Sequence, residues 1–309
     1  MLQVIQNYKS GDLRLEEVPI PAMKAGGVLV RTAYSLVSTG TESTAVRQAA
    51  MGVIGKARAR PDDVRKVLGS VRKQGLKATY RSVMNRLDSL TPLGYSLAGT
   101  VLQVGRDAGE FRQGQLVACG GVGYANHAEV NFVPKNLVAA VPDGVSLADA
   151  ACTTVGTVAL QGFRQSGLGL GDTVVVIGLG LVGLIYLQIA RSAGCKTLGI
   201  DIASDRVAKA LALGADAACE FNTGAAASAV EALTGGIGAD VAVMAVGTQS
   251  NKPLELAAQL VRDRGRIVNI GKAKMDLPYE PFFKKDLQVV FSRSYGPGRY
   301  DPNYENKGV

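Results

Sequence analysis

Residues 173–183 read TVVVIGLGLVG, and no other stretch limits the fold so narrowly. Five β-branched residues in a row suit a strand buried on both faces. Three glycines spaced GxGxxG follow at once, and the apolar run after them has the length of a helix. The glycine spacing alone is a weak signal; the strand before it and the helix after it supply the context it requires. Gly178 permits a tight turn, Gly180 lets a pyrophosphate approach the backbone, and Gly183 lets helix and strand pack closely. Leu179, Leu181 and Val182 complete the loop. The helix start offers backbone N–H groups and a positive dipole end to phosphates. Residues 173–190 carry no charge and approach the length of a bilayer span, but the glycines divide them, and no membrane span is read.

Asp201 ends the next apolar run, eighteen residues beyond Gly183, with Ile202 beside it. A carboxylate there accepts hydrogen bonds from both ribose hydroxyls and repels a 2′-phosphate, which favours NAD over NADP. The plain alternative is that Asp201 only ends a strand. Arg206 either stacks near the adenine or is a solvated helix residue. Strands read at 173–177, 197–200, 217–221, 241–245, 266–270 and 287–292, with helices at 181–192, 205–213, 225–233 and 253–263. Ser204 is the expected N-cap and Gly214 the stop of the second helix; Pro253 and Gly265 bracket the last. This alternation implies an α/β domain with a doubly wound, six-stranded parallel sheet over residues 151–309. Val246-Gly247 and Ile270-Gly271, which follow two of these strands, are assigned to the cofactor as well.

Residues 1–150 read as mostly β. Val-rich runs at 26–35, 98–105, 114–120 and 128–142 are separated by Gly, Pro or Asn. An insert at about 44–92 interrupts them. Val64, Val67, Leu68 and Val71 follow helical spacing, as do Leu76, Tyr80, Val83 and Leu87, with Pro61 near the start and Gly75 as the break. Residues 56–86 hold ten basic side chains against Asp62 and Asp63, an excess equal to the net charge of the whole chain, +8. The rest of the chain is therefore neutral. Such a run is a solvated helical face or an electrostatic guide for an anionic group. No recognised nucleic-acid-binding module accompanies it, so nucleic acid is not expected as a partner. Cys119, Cys152, Cys195 and Cys219 lie far apart, which argues against a zinc knuckle and a disulfide framework. Without a signal-peptide pattern at the start, a reducing cytoplasm is expected.

The segment from Val174 to Ile202, with RVAKALALGAD after it, resembles the cofactor domain of the medium-chain dehydrogenase/reductase superfamily, the zinc alcohol dehydrogenase and quinone reductase group. GDLRLEEVPIPAMKAGGVLVRTAYSLVSTGTE resembles the start of its GroES-like barrel. The resemblance implies a GroES-like β barrel catalytic domain, a Rossmann domain and a cleft between them. Zinc members carry a Cys in a CGxD-like motif where this chain reads Ser38-Thr39-Gly40-Thr41-Glu42. They carry Gly-His-Glu where this chain reads Gly94-Tyr95-Ser96. The third ligand falls near Thr153, one residue from Cys152, and the lobe with four cysteines is absent. A catalytic zinc needs three protein ligands, so none is expected.

In place of zinc, Tyr95 is expected to face the cleft, either as a donor to a developing alkoxide or as a lining aromatic; Ser38, Thr39 and Glu42 share that wall. Thr157 takes the place of a family Thr near the nicotinamide. For His127, the single histidine, a barrel strand and a structural or surface role are expected. The insert and the ending FSRSYGPGRYDPNYENKGV resemble a bacterial subgroup often fused to a Gfo/Idh/MocA-type oxidoreductase and linked to surface polysaccharides. The family normally returns to the catalytic domain after the sixth Rossmann strand, so a truncated or partial chain is expected, as is a homo-oligomer. The leading expectation is a zinc-free NAD(H) oxidoreductase acting on a hydroxyl or carbonyl of a small, sugar-derived or anionic substrate. Alternatives are an NAD(P)H-dependent reductase of an activated C=C bond and a non-catalytic cofactor module whose basic insert docks an acidic partner.

Overall fold

A computed structural model describes residues 1–7, 10–38, 40, 42, 69, 71–72, 75–76, 78–79 and 90–301. The chain divides into two compact units, Met1–Thr154 and Val155–Val309.

In the first unit, β1 (Leu2–Asn7) pairs antiparallel with β2 (Leu13–Glu17) and with β4 (Leu90–Pro92). A five-stranded antiparallel sheet contains β3 (Gly27–Ser35), β5 (Ser96–Val104), β6 (Leu116–Gly120), β7 (Val130–Pro134) and β8 (Val138–Ala140), in the order β7-β3-β5-β6-β8. Alternation sends Val28 and Val30 of β3, Leu97 and Val101 of β5, and Val117 and Cys119 of β6 into one shared core. Each such fully buried aliphatic side chain contributes about 1.5–3 kcal/mol relative to exposure. An isolated bridge between Gln3 and Ala128 ties the two sheets together. The run 128–142 is two strands split by a single turn of 3-10 helix at Lys135–Leu137. The short helix α1 (Leu147–Ala150) is capped by the Ser146 side chain. Residues 69, 71–72, 76 and 78–79 of the insert are helical, with Gly75 at a left-handed φ of 80° between them. The rest of the expected helical pair lies outside the described residues.

The second unit opens with most of α2 (Thr153–Ser166), a helix that the sequence pattern did not disclose. Six strands follow: β9 (Thr173–Ile177), β10 (Lys196–Asp201), β11 (Ala217–Glu220), β12 (Ala239–Met244), β13 (Val261–Asn269) and β14 (Gln288–Phe291). They form one parallel sheet in the order β11-β10-β9-β12-β13-β14, the doubly wound arrangement. Between them lie α3 (Leu181–Ser192), α4 (Ser204–Ala212), α5 (Thr223–Thr234), α6 (Lys252–Leu260) and α7 (Tyr279–Lys284). Val174 and Val176 of β9 pack with Tyr186, Leu187 and Ala190 of α3. Val175 and Ile177 pack on the other face with α5 and α6. Both faces are thus apolar, which explains the uninterrupted β-branched run.

Two boundaries differ from the sequence reading. The last long helix stops at Leu260 rather than 263, because residues 261–263 already belong to β13, with Val261 paired to Ala239 of β12. Lys285 Nζ donates to the carbonyls of Ala258, Gln259 and Val261, which satisfies the end of that helix. Ser204 is the first residue of α4, and its N-cap is Ala203 with no side-chain cap. Asn222 caps α5 by accepting from Gly224 N and Ala225 N.

Candidate functional site

The expected cofactor residues gather at one edge of the six-stranded sheet, at the carboxyl ends of its strands. Gly178 follows β9 at a φ of 98°, a left-handed conformation that favours glycine. A Cβ there would lie 2.5 Å from Val246 Cγ1 and 2.9 Å from Ala245 O. A Cβ on Gly183 would run into the Gly178 carbonyl, so the distance between α3 and its strand is set by backbone. Gly180 is different: a Cβ there would meet nothing within 4 Å. That open space lies at the N-cap of α3, where no side chain caps the helix. The position suits a phosphate, whose charge the first-turn N–H groups attract.

The loops after β12 and β13 are zipped together. Ile270 N and Gly271 N both donate to Met244 O, and Thr248 N donates to Lys272 O. A Cβ on Gly271 would strike the Val246 carbonyl. Val246, Gly247, Ile270 and Gly271 therefore share one ledge. Leu179 is wholly buried, Leu181 and Ile202 are exposed, and Val182 packs partly on the α3 core. Thr157 lies exposed on α2.

Asp201 does more than end a strand. Its Oδ2 accepts from Leu179 N at 2.7 Å, and its Oδ1 accepts from Ala203 N at 3.0 Å. Arg206 lies 3.6 Å from Oδ2, with its side chain half exposed. The carboxylate thus fastens the glycine loop to the end of β10, and each oxygen keeps a second lone pair. These features fit a dinucleotide: an open cradle at a helix start, and a fixed acceptor one strand away.

A second polar cluster lies in the first unit. Gly94, at a φ of 100°, brings the chain so close that a Cβ would lie 2.5 Å from His127 N. Tyr95 follows it, partly buried, and Ser96 Oγ donates to Ala151 O at 2.6 Å. Ser38 and Glu42 are brought together: Glu42 Oε2 accepts from Ser38 N at 2.8 Å, and Glu42 N donates to Ser38 O. Thr39 lies outside the described residues. His127 meets Ser35 Oγ through Nδ1 at 2.8 Å and Glu42 Oε1 through Nε2 at 2.9 Å. It sits in the connection between β6 and β7, not in a strand, and it meets Glu42 rather than lying on the surface. The only sequence clue was that it is the single histidine in the chain.

A family model described as a zinc-binding dehydrogenase matches residues 182–305. Over those residues the chain is similar to this family. D-guloside 3-dehydrogenase of Escherichia coli is 29% identical over 224 residues, which cover 70% of this chain and 63% of that protein. Sorbitol dehydrogenase of Halalkalibacterium halodurans is 25% identical over 242 residues, 68% of this chain and 70% of its own. The chain thus spans less than two thirds of the D-guloside 3-dehydrogenase it matches. The crystal structure of galactitol-1-phosphate dehydrogenase from Escherichia coli shares the fold at a TM-score of 0.72 and 20% identity, over 95% of this chain and 83% of that one. Quinone oxidoreductase from Thermus thermophilus, also solved with NADPH, shares it at 0.70 and 19%, over 100% and 83%.

The zinc in that model's description finds no matching donor set among the described residues. Among the described residues, no group of three or more His, Cys, Asp or Glu side chains could hold a metal ion. Nε2 of His127 is engaged by Glu42, and its Nδ1 by Ser35. Burial pushes the Cys119 thiol up to about 12, which disfavours the thiolate that a zinc ligand must be. Cys152 is partly exposed and contacts Ala148 O at 3.9 Å. Among the described residues, no helix is long and apolar enough to cross a membrane.

Proposed function

We propose that the chain is an NAD(H)-dependent, zinc-independent oxidoreductase that moves a hydride to or from a hydroxyl or carbonyl carbon of a sugar-derived or anionic substrate. The observation that carries this reading is the cofactor edge of the second unit. There an uncapped helix start beside Gly180 adjoins the Asp201 carboxylate, itself held by two backbone amides. When bound, the nicotinamide supplies the hydride chemistry. The α3 N–H groups hold the pyrophosphate, and the remaining lone pairs of Asp201 accept from the adenosine ribose and disfavour a 2′-phosphate. Relatives named for D-guloside and sorbitol support a polyhydroxylated substrate. The basic excess of residues 56–86 supports an anionic one.

Tyr95 is the donor proposed for the substrate oxygen, with Ser38, Thr39 and Glu42 proposed for the same wall. A phenol aimed at a developing alkoxide stabilises charge that exists only in the transition state. The proposal includes a soluble, cytoplasmic setting and a fused or partner Gfo/Idh/MocA-type oxidoreductase domain, in keeping with the subgroup resemblance. The test is a screen of the full chain with NAD and NADP against sugar acids, polyols, sugar phosphates and enones, followed by NADH absorbance. Turnover of a polyhydroxylated substrate with NAD is expected. Turnover confined to enones, or to NADP, would overturn the reading.

A further inference from the structure

Within the second unit, helix α2 meets the cofactor edge through two adjacent residues, Gln161 and Gly162. A Cβ on Gly162 would run into Ile270 Cδ1 and would lie 2.9 Å from Ile270 Cγ1 and 3.5 Å from Tyr186 Cδ2. The Ile270 side chain thus fills the place that a larger residue of α2 would take. One residue earlier the fit is reversed. Gly296, beyond β14, has a φ of 89°, and a Cβ there would lie 2.7 Å from both Cδ and Oε1 of Gln161. A glycine of α2 receives the loop after β13, and a glycine of the loop after β14 receives α2. The helix end is fastened to the same two strands. Arg266 Nη1, on β13, donates to Gln165 O and Ser166 O, and its Nη2 donates to Gln288 Oε1 on β14.

The strand order decides which half of a dinucleotide would meet this seat. Gly180 follows β9, and Asp201 ends β10, the neighbour of β9 on one side. A pyrophosphate at Gly180 with its adenosine ribose on Asp201 sends the other half of the molecule to the opposite side, across β12 and β13. There it meets the ledge of Val246, Gly247, Ile270 and Gly271. That half carries the nicotinamide.

We propose that Gly162 is a positioning residue for the nicotinamide, because its missing side chain lets Ile270 sit low beneath the ring; this rests on the oxidoreductase reading above. Ile270 has one way to yield. Tyr186, fully buried and packed near Phe163 of α2, closes the notch on its core side. Ile270 N is held by Met244 O, so the backbone of the ledge is fixed as well. Carbon atoms in ordinary contact lie about 3.5–4.0 Å apart. A methyl group at position 162 therefore pushes the Ile270 side chain outward by roughly 1 Å, into the space of the ring. A misplacement of that size is enough to spoil hydride-transfer geometry.

ADP-ribose lacks the nicotinamide, so comparing it with NADH separates the two halves. In Gly162→Ala, NADH affinity read by fluorescence should fall about tenfold or more. ADP-ribose affinity read by calorimetry should stay within about twofold. A loss of helix packing alone would lower both together. Gly162→Ala/Ile270→Val adds one carbon and removes one, and it should regain most of the NADH affinity. If the single variant does not fold, the double variant decides: near-normal NADH binding supports the seat, and a second failure to fold overturns it. Equal losses for the two ligands, no loss for either, or no rescue by Ile270→Val overturns the positioning role alone. Wild-type protein that binds neither ligand overturns the dinucleotide reading, and this role with it.

Discussion

Replacing Asp201 by Ala separates a loop fastener from a simple strand end. The carboxylate is 5% exposed and holds the amides of Leu179 and Ala203. Leu179 is fully buried, so its amide would lose its acceptor with no water to replace it. A buried donor left unpaired costs about 1–3 kcal/mol. The Ala203 amide lies nearer solvent, beside the exposed Ile202, and costs less. Arg206 is half exposed at 3.6 Å and contributes little after screening. The expected loss is about 2–4 kcal/mol, which lowers Tm by roughly 5–15 °C at roughly 2–4 °C per kcal/mol. Asp201→Asn keeps an acceptor for one amide and should fall between. Binding of ADP-ribose should weaken about tenfold or more, as charge-assisted contacts to the ribose are lost, and the preference for NADH over NADPH should narrow. Thermal unfolding followed by circular dichroism gives the first quantity, and fluorescence titration the second. A variant within about 0.5 kcal/mol of wild type would show that the fastener is not needed. Unchanged cofactor affinity would remove the ribose contact.

Elemental analysis of protein purified without chelator should find less than stoichiometric zinc; one zinc per chain, lost together with activity, would refute the donor-set argument. Tyr95→Phe should lower turnover by about a hundredfold with NADH affinity unchanged, and near-normal turnover would return Tyr95 to a lining role. Neutralising Arg65, Lys66, Arg72 and Lys73 together should weaken apparent affinity for an anionic substrate and flatten its salt dependence; an unaltered salt response would make the insert a surface or docking element. The Cys119 thiol, raised by burial to about 12, favours the folded state below the ordinary thiol range, and that contribution is lost as pH climbs from about 9 towards about 12. Stability measured over that window should fall, and Cys119→Ser should flatten the slope; an equal slope in both proteins would contradict it.

The Rossmann half was legible because two independent signals coincide there. The β-branched run reports a strand covered on both faces, and the glycine spacing reports a turn that only that strand could feed. The position of Asp201 was readable too, but its grip on Leu179 was not, because a loop amide has no sequence signature. Helix α2 went unread because Thr153, Thr154, Thr157 and Gly156 blur its apolar stripe. The helix end at Leu260 was hidden because its carbonyls are satisfied by Lys285, distant in the chain, while Gly265 lies inside a strand. The polar cluster of the first unit was half visible. Resemblance pointed to Ser38, Glu42 and Tyr95, of which Ser38 and Glu42 are in contact. It did not point to His127, since its partners Ser35 and Glu42 lie 92 and 85 positions away.

The connection that carries His127 is irregular in its dihedrals, yet it works as a joint between three strands. Its backbone is spliced to β1 through Val4 and to the end of β4 through Leu93, while Asn131 rivets it to β3. Swinging the imidazole aside would mean parting all three at once. This turn therefore opens only with the sheets around it, and its amides should exchange as slowly as those of strand interiors. A lineage that alters the chemistry at this spot must exchange the side chain; it has no freedom to slide the same one into a new place.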